Sequence, residues 1–283
     1  MAINFLVGTD PELFVSNGER FVSGYGMIKG TKDEPLKVKD GAVQVDGHAL
    51  EFNIDPASSE DDFVSKIASV RSTLAKMIGH KFTLATQPVA DFGLEYLMAQ
   101  PEEANVLGCD PDFNAWLQGQ ANPRPDGNVP FRTAGGHVHI GWCGSDEVPL
   151  VDIDDPEHQE ACQMLIRELD FYLGIPSLFW DDNDMRREMY GKAGAYRAKP
   201  YGVEYRSLSN KWLSNEELIR YVYRQTILAA TNLANGKSMA ESFGGCASYA
   251  INNNDRDLAK EIIQQMFPDF GMSGSVRDIP KAA

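Results

Sequence analysis

The chain has 283 residues, 43% of them hydrophobic and 10% aromatic, which is enough for one sizeable core and too apolar for a disordered polymer. Its formal net charge of −15 argues against a nucleic-acid surface, because phosphate contacts require clustered Lys and Arg. No run approaches the roughly 20 apolar residues of a membrane span, the start MAINFLVGTD lacks the parts of a signal peptide, and the four cysteines form no CxxC pair, so the expected setting is the reducing cytoplasm, with neither nucleic acid nor membrane as partner.

The first β-like run is INFLVGTDPELFV at 3–15, and a second, AVQVDGHALEFNI, covers 42–54. Both mix apolar and polar residues at period two. A helix is predicted over 60–79 from the stripe Phe63, Ile67, Val70, Leu74 and Met77, with Ser58 and Ser59 as capping candidates. GCDPDFNAW at 108–116 reads as a turn-rich loop anchored by Phe113 and Trp116. A third β-like run, GGHVHIGW, covers 135–142. A helix over 157–173 follows, with Ala161, Leu165, Leu169 and Leu173 on one stripe and a stop at Gly174 and Pro176.

The stretch DDNDMRREMYGKAGAYR at 181–197 is a glycine-bearing loop with Arg186, Arg187, Lys192 and Arg197, the cations and loose backbone that a polyphosphate requires. The fourth β-like run is YGVEYRSLS at 201–209. Ser214 and Glu217 form a capping-box pattern for a helix over 215–235 ended by Gly236, and a weaker helix covers 255–267. This order predicts an α+β fold, with helices on one face of a mainly antiparallel sheet. It is read as one domain over 1–270 with a flexible tail over 271–283.

Polar residues recur in pairs along the four runs: Asp10 and Glu12, Glu51 and Asn53, His137 and His139, Glu204 and Arg206. Each pair is spaced i, i+2, so its members share one face of a strand, and the residues between them are mostly apolar. Any half-exposed strand alternates in this way. Four pairs rich in ligand types, with no Lys, Ser or Thr among them, instead suggest a site. Gathered carboxylates repel one another unless cations intervene, and oxygen-rich ligands with an imidazole or two suit Mg²⁺ or Mn²⁺. His80 and His158 read as surface or capping residues, and His48 is ambiguous.

The motifs GxDPE, DGxxxExN, GGHxHIG, RRxxYGKAGAYR and YGVEYRxLSN together resemble the phage carboxylate–amine (COOH-NH2) ligase family, of the glutamine-synthetase-like amidoligases. The resemblance implies a curved antiparallel sheet with helices on its convex face. It also implies a reaction in which ATP, with Mg²⁺ or Mn²⁺, activates a carboxylate as an acyl phosphate that an amine then attacks. By motif, Asp10, Glu12, Glu51, His137 and Glu204 are implied metal ligands, with His139 nearer the phosphates. Arg206 is an implied phosphate-binding residue, and Arg186, Arg187, Lys192 and Arg197 resemble a cationic phosphate loop. Glu204, Arg206, Arg186 and Arg187 are thereby the expected catalytic residues, acting on small-molecule or peptide carboxylates and amines in an unspecified oligomeric state. Pro11 departs from the superfamily pattern and forbids a ladder hydrogen bond, so that point should be a strand edge or bulge. Competing readings are a zinc hydrolase using His137 and His139, and a non-catalytic phage protein on a ligase scaffold.

Overall fold

The computed structural model describes residues 4–105, 112–123, 129–144 and 149–283. In chain order the N-terminal part contains β1 (Leu6–Thr9), β2 (Glu12–Ser16), β3 (Phe21–Val22), β4 (Leu36–Val38), β5 (Gly41–Asp46), β6 (Ala49–Ile54), α1 (Glu60–Ile78), β7 (Thr83–Ala85) and β8 (Val89–Asp91). Next come α2 (Leu94–Met98), α3 (Glu102–Asn105), β9 (Phe113–Asn114), β10 (Gln120–Ala121), β11 (Phe131–Thr133) and β12 (Val138–Gly141). The C-terminal part contains α4 (Pro156–Leu169), α5 (Ile175–Ser177), α6 (Asp184–Met189), β13 (Ala195–Lys199), β14 (Gly202–Tyr205), α7 (Glu216–Ala234), α8 (Met239–Phe243), α9 (Cys246–Asn252) and α10 (Arg256–Met266).

One sheet has the order β1-β12-β14-β13-β9-β10, and a second has β3-β2-β6-β5-β4 with β7 on β2. A short ribbon pairs β8 with β11, and every described pairing is antiparallel. The strands curl into an antiparallel half-barrel, and the mixture of helices and strands is the expected α+β fold. The hinge between the sheets is Asp10-Pro11. β1 ends at Thr9 in the first sheet, and β2 begins at Glu12 in the second. Proline has no N–H to give a ladder, so the expected edge is a change of sheet. Asp10 and Glu12 are therefore not two teeth of one strand; they stand on either side of a seam.

Alternation decides which face is core. Val138, Ile140, Val203, Tyr205 and Tyr196 turn to the helical layer and are fully buried. α4 covers β13 and β14, α1 covers β5 and β6, and α7 packs against both helices. Phe63, Ile67, Val70 and Leu74 of the α1 stripe are buried as their spacing predicts, Met77 is exposed with Ile78 buried in its place, and Ser59 caps the helix by accepting from Asp62 N. Asn215 caps α7 in place of Ser214, accepting from Leu218 N. Ser214 instead accepts from Ala283 N, because residues 271–283 fold back onto the body. Met272 and Ile279 are buried there, and Asn215 Nδ2 donates to Lys281 O at 2.8 Å. His158 is buried rather than superficial, with Nε2 2.8 Å from Lys199 O. His80 is exposed.

α4 runs into a π-helical turn, Asp170–Gly174, wholly inside the core. Asp170 accepts there from Trp116 Nε1 at 2.6 Å and from Tyr205 OH at 2.8 Å. Trp116 is thus an anchor for its loop, as read from the sequence. Cys143, Cys162 and Cys246 are free thiols, and Cys109 lies outside the described residues. No helix among the described residues is long and apolar enough to cross a membrane.

Burial pushes the Asp170 carboxyl up to about 7, with the Trp116 and Tyr205 donors only partly offsetting it. Between pH ~4 and ~7 the folded chain then holds a proton that the unfolded chain has released, so stability falls as pH rises through that window. Each tenfold difference in proton affinity between the folded and unfolded chain is worth about 1.4 kcal/mol. Denaturant unfolding at pH 5, 6 and 7 should show this decline for the native chain and a flatter profile for Asp170→Asn. Parallel profiles would mean that Asp170 is ionised in the fold.

Candidate active site

Gly8, His139, Glu204 and Arg197 are Cα partners across β1, β12, β14 and β13, so they form one row on the face opposite the core. The next same-face row lies just past the strand ends and holds Asp10, His137 and Arg206. Across the seam Glu12 is paired with Glu51, which is also the partner of Gln44. Asp46, at the end of β5, joins these two carboxylates. Gly136 lets β12 enter this region, because a Cβ there would overlap Ser209 O and Trp212 Nε1. Its glycine thus serves chain packing, with Trp212 Nε1 donating to Gly136 O at 3.0 Å.

Two groups on this face have ligand atoms close enough to share a cation: Asp10, His139 and Glu204, and then Glu12, Asp46 and Glu51. His139 Nε2 lies 2.9 Å from Asp10 Oδ1, yet the two atoms are not aligned as a hydrogen bond, and both are shut off from water. Neighbouring ligands of an octahedral Mg²⁺ stand about 3 Å apart, so this spacing fits a shared cation as well as an ion pair. His139 Nδ1 lies 2.6 Å from Tyr201 OH, which fixes the ring. His137 Nδ1 is 3.4 Å from Asp10 Oδ1, 3.3 Å from Glu204 Oε1 and 3.3 Å from Arg206 Nη1. Both imidazoles therefore border the first group, and His139 is the one that belongs to it.

The charges explain the protonation pattern. Burial raises the Asp10 carboxyl, but the His139 and His137 imidazoles outweigh burial and hold it well below the ordinary range. Burial and the Asp10 charge also push Glu204 up, and Arg206, His139 and His137 bring it to about 2. For His139, burial is overcome by Asp10 and the ring is raised above its usual value. The second group has less compensation. Burial, then the charges of Asp10, Asp46 and Glu12, push Glu51 well above the carboxylate range, and burial with Asp46 raises Glu12. A divalent cation would relieve that repulsion.

Cations flank both groups. Arg206 pairs with Glu204 and, through Nε, with Asp112. Lys199 Nζ lies 2.9 Å from Glu204 Oε2. Arg186 is buried and donates to Ser207 O at 2.9 Å and Arg206 O at 3.3 Å, and burial lowers it to about 10. The expected phosphate loop divides: Arg186 and Arg187 are on α6, and Arg197 is on β13 opposite Glu204. Arg187 turns to Asp181 and Asp184, at 3.8 and 3.5 Å, and lines neither of the cavities described below. Lys192 is half-buried, and its carbonyl accepts from Ser207 Oγ.

Two cavities open on either side of the cluster. One is lined by Glu12, His137, Arg186 and Arg206, with Phe14 and Phe131 in its walls. The other is lined by Asp10, Glu51, His139 and Tyr201, with Leu6 and Leu150. Asp46, Asp112, Lys199 and Tyr201 are site residues that the paired-residue pattern did not reveal. Asp46 stands five residues before Glu51 in the DGxxxExN motif, Tyr201 opens the YGVEYRxLSN motif and Asp112 lies in the stretch GCDPDFNAW, whereas Lys199 falls in none of the motifs.

A family model described as "Phage phiEco32-like COOH.NH2 ligase-type 2" matches residues 126–272. The chain belongs to this ligase family. The matched stretch carries His137, His139, Arg186, Glu204 and Arg206, while Asp10, Glu12 and Glu51 precede it. The family's name is that of an enzyme joining a carboxyl group to an amine. A solved structure described as "Crystal structure of novel glutamine synthase homolog" matches 91% of this chain and 62% of its own, with 11% identity and a TM-score of 0.41. The chain thus spans less than two thirds of that neighbour's length. No curated protein matches the chain.

Arg206 is the one counter-charge that bridges Glu204 and Asp112. Its removal in Arg206→Met should destabilise the fold by about 3–5 kcal/mol, because Asp112 and the buried Glu204 both lose the guanidinium, and Glu204 keeps only Lys199 and His137 beside it. Adding Glu204→Gln should restore about 1 kcal/mol or more. Denaturant unfolding of the two single variants and the double variant checks this, and strictly additive losses would contradict the pairing.

Proposed function

We propose that this member of the ligase family is an ATP-dependent carboxylate–amine ligase working with Mg²⁺ or Mn²⁺. The observation that carries the reading is the pair of cation-sized ligand groups, one on each side of the seam between the two sheets, with Arg206, Arg186, Arg197 and Lys199 near them. A metal hydrolase has no use for so many fixed cations, whereas a triphosphate and a transferring phosphoryl group do. In the proposed reaction a carboxylate oxygen takes the γ-phosphoryl group, releasing ADP. The amine nitrogen then attacks the acyl carbon, phosphate leaves, the nitrogen loses a proton, and an amide remains.

Asp10, His139 and Glu204 would hold one divalent cation, and Glu12, Asp46 and Glu51 a second. Bound there, the cations would screen the triphosphate and the arriving carboxylate from each other. The chain's own residues supply orientation and fixed charge. Arg206 is locked by Glu204 and Asp112, and those carboxylates raise it above its already high ordinary value, so it remains a guanidinium at any working pH. Arg186 is aimed by two backbone carbonyls into the same cavity. Tyr201 sets the His139 ring. The family resemblance implied His137 as the cation ligand and His139 as the phosphate neighbour; we assign the cation to His139, and we give Arg187 a structural part.

Purified protein with Mn²⁺, ATP and mixed pools of carboxylic acids and amines should release ADP only when both pools are present. Glu204→Gln should lower the rate by about 100-fold or more. In calorimetry, His139→Ala should weaken Mn²⁺ binding by about 100-fold, and His137→Ala clearly less. One tightly held zinc with no nucleotide affinity would replace this reading with the hydrolase.

A further inference from the structure

A separate cavity, of about 370 Å³, shares no lining residue with the two beside the cation groups. It is lined by Phe179 and Trp180 after α5, by Asp182, by Lys211 after β14, by Arg256 at the start of α10, and by Lys281 in the tail. Three cations to one carboxylate reverse the balance of a chain with 26 Lys and Arg against 41 Asp and Glu.

Arg256 is half-buried, and its Nε is shut off from water without a hydrogen-bond partner. Among the described residues its guanidinium forms no ion pair and no hydrogen bond, and neither does the Lys281 ammonium. Its charge meets that of a second arginine instead. Burial lowers the Arg187 guanidinium, Asp181 and Asp184 oppose this, and Arg256 lowers it again. An unpaired, partly buried guanidinium near another costs stability until an anion joins it.

The walls of the cavity are fixed. Ser209 Oγ donates to Asp181 Oδ2 at 2.6 Å and accepts from Lys211 N at 3.2 Å, which ties the segment at 179–182 to Lys211. Lys211 Nζ donates to Ala283 O at 3.1 Å, one of its three N–H groups. The tail is held by the Lys281 carbonyl, which accepts from Asn215 Nδ2 at 2.8 Å, and not by the Lys281 ammonium.

Charge and size choose the ligand. A carboxylate brings a single negative charge, whereas a phosphate brings about −1.5 to −2 at pH 7 and three acceptor oxygens. Three cations match the phosphate, and an arginine can take it through two parallel N–H bonds. A volume of about 370 Å³ is within the range of small-molecule pockets, so an organic group has room against Phe179 and Trp180.

We propose that this cavity binds a small organic phosphate ester, with Arg256, Lys281 and Lys211 on the phosphate and Phe179 against the organic part. The site is separate from the catalytic cavities and does not rest on the ligase reading.

The test is calorimetry with phenyl phosphate, inorganic phosphate and benzoate. EDTA is present, so that no divalent cation recruits phosphate to the carboxylate groups. Phenyl phosphate should bind about tenfold or more tightly than benzoate. Arg256→Gln and Lys281→Gln should each weaken phenyl phosphate by about tenfold. Lys281→Gln changes an exposed side chain, which guards against misfolding of the first variant, and denaturant unfolding should show both variants folded. The proposal is overturned if phenyl phosphate binds no more tightly than benzoate, or if its binding survives both substitutions. It is also overturned if inorganic phosphate binds as tightly as phenyl phosphate, which would make free phosphate the ligand.

Discussion

Pro11 cannot donate to a β ladder, and the arrangement of the site depends on that. The chain leaves the first sheet at Thr9 and enters the second at Glu12, so the two carboxylates of the Asp-Pro-Glu motif stand on either side of a seam. Asp10 joins the row of His137 and Arg206 at the ends of β12 and β14. Glu12 faces Glu51 across the pair of β2 and β6. Gly135 N donates to Glu12 Oε2 at 2.8 Å and Glu12 N donates to Gly135 O at 3.0 Å, which ties the seam to the entry of β12. A continuous strand would have kept both carboxylates in one sheet.

Gathering so many acids in a half-buried trough costs stability unless positive charge accompanies them. The fold meets this unequally. On the Asp10 side two imidazoles, Arg206 and Lys199 hold the carboxyls ionised, with Glu204 at about 2. On the Glu51 side burial and like charge dominate, and Glu12 and Glu51 are pushed up. That imbalance is what the proposed pair of divalent cations would relieve. On the opposite face Tyr205 and Trp116 meet Asp170, so the strand bearing Glu204 and Arg206 and the segment next to Asp112 are braced from behind.

Much of this was legible in the sequence. Period-two spacing placed His139 and Glu204 on one face because strands alternate whatever their partners, and the row across β1, β12, β14 and β13 follows from it. The helical stripes gave α1, α7 and α10 within a residue or two, whereas α4 ends at Leu169 and the chain runs on through a π-helical turn and α5 past the expected stop at Gly174 and Pro176. What escaped depends on contacts between distant segments. Asp112 lies in GCDPDFNAW, but nothing local shows that it reaches Arg206 from 94 residues away. Lys199, at the end of β13, and Tyr201, which opens the YGVEYRxLSN motif, take their places only when the β13–β14 hairpin is set beside β12. Arg186 and Arg187 look equivalent in a row of cations, yet a short helix turns one to the cavity and the other to Asp181 and Asp184. The tail looked polar and frayed, but Met272 and Ile279 find apolar surface that only the assembled helices provide.

The central claim is that this sheet face holds divalent cations for a nucleotide. It is tested most directly by anomalous diffraction from crystals grown with Mn²⁺ and a non-hydrolysable ATP analogue. The account predicts one manganese peak among Asp10, His139 and Glu204, a second among Glu12, Asp46 and Glu51, and phosphate density against Arg206. A bound nucleotide lying away from these residues, or a face that stays free of metal while nucleotide binds, would contradict it.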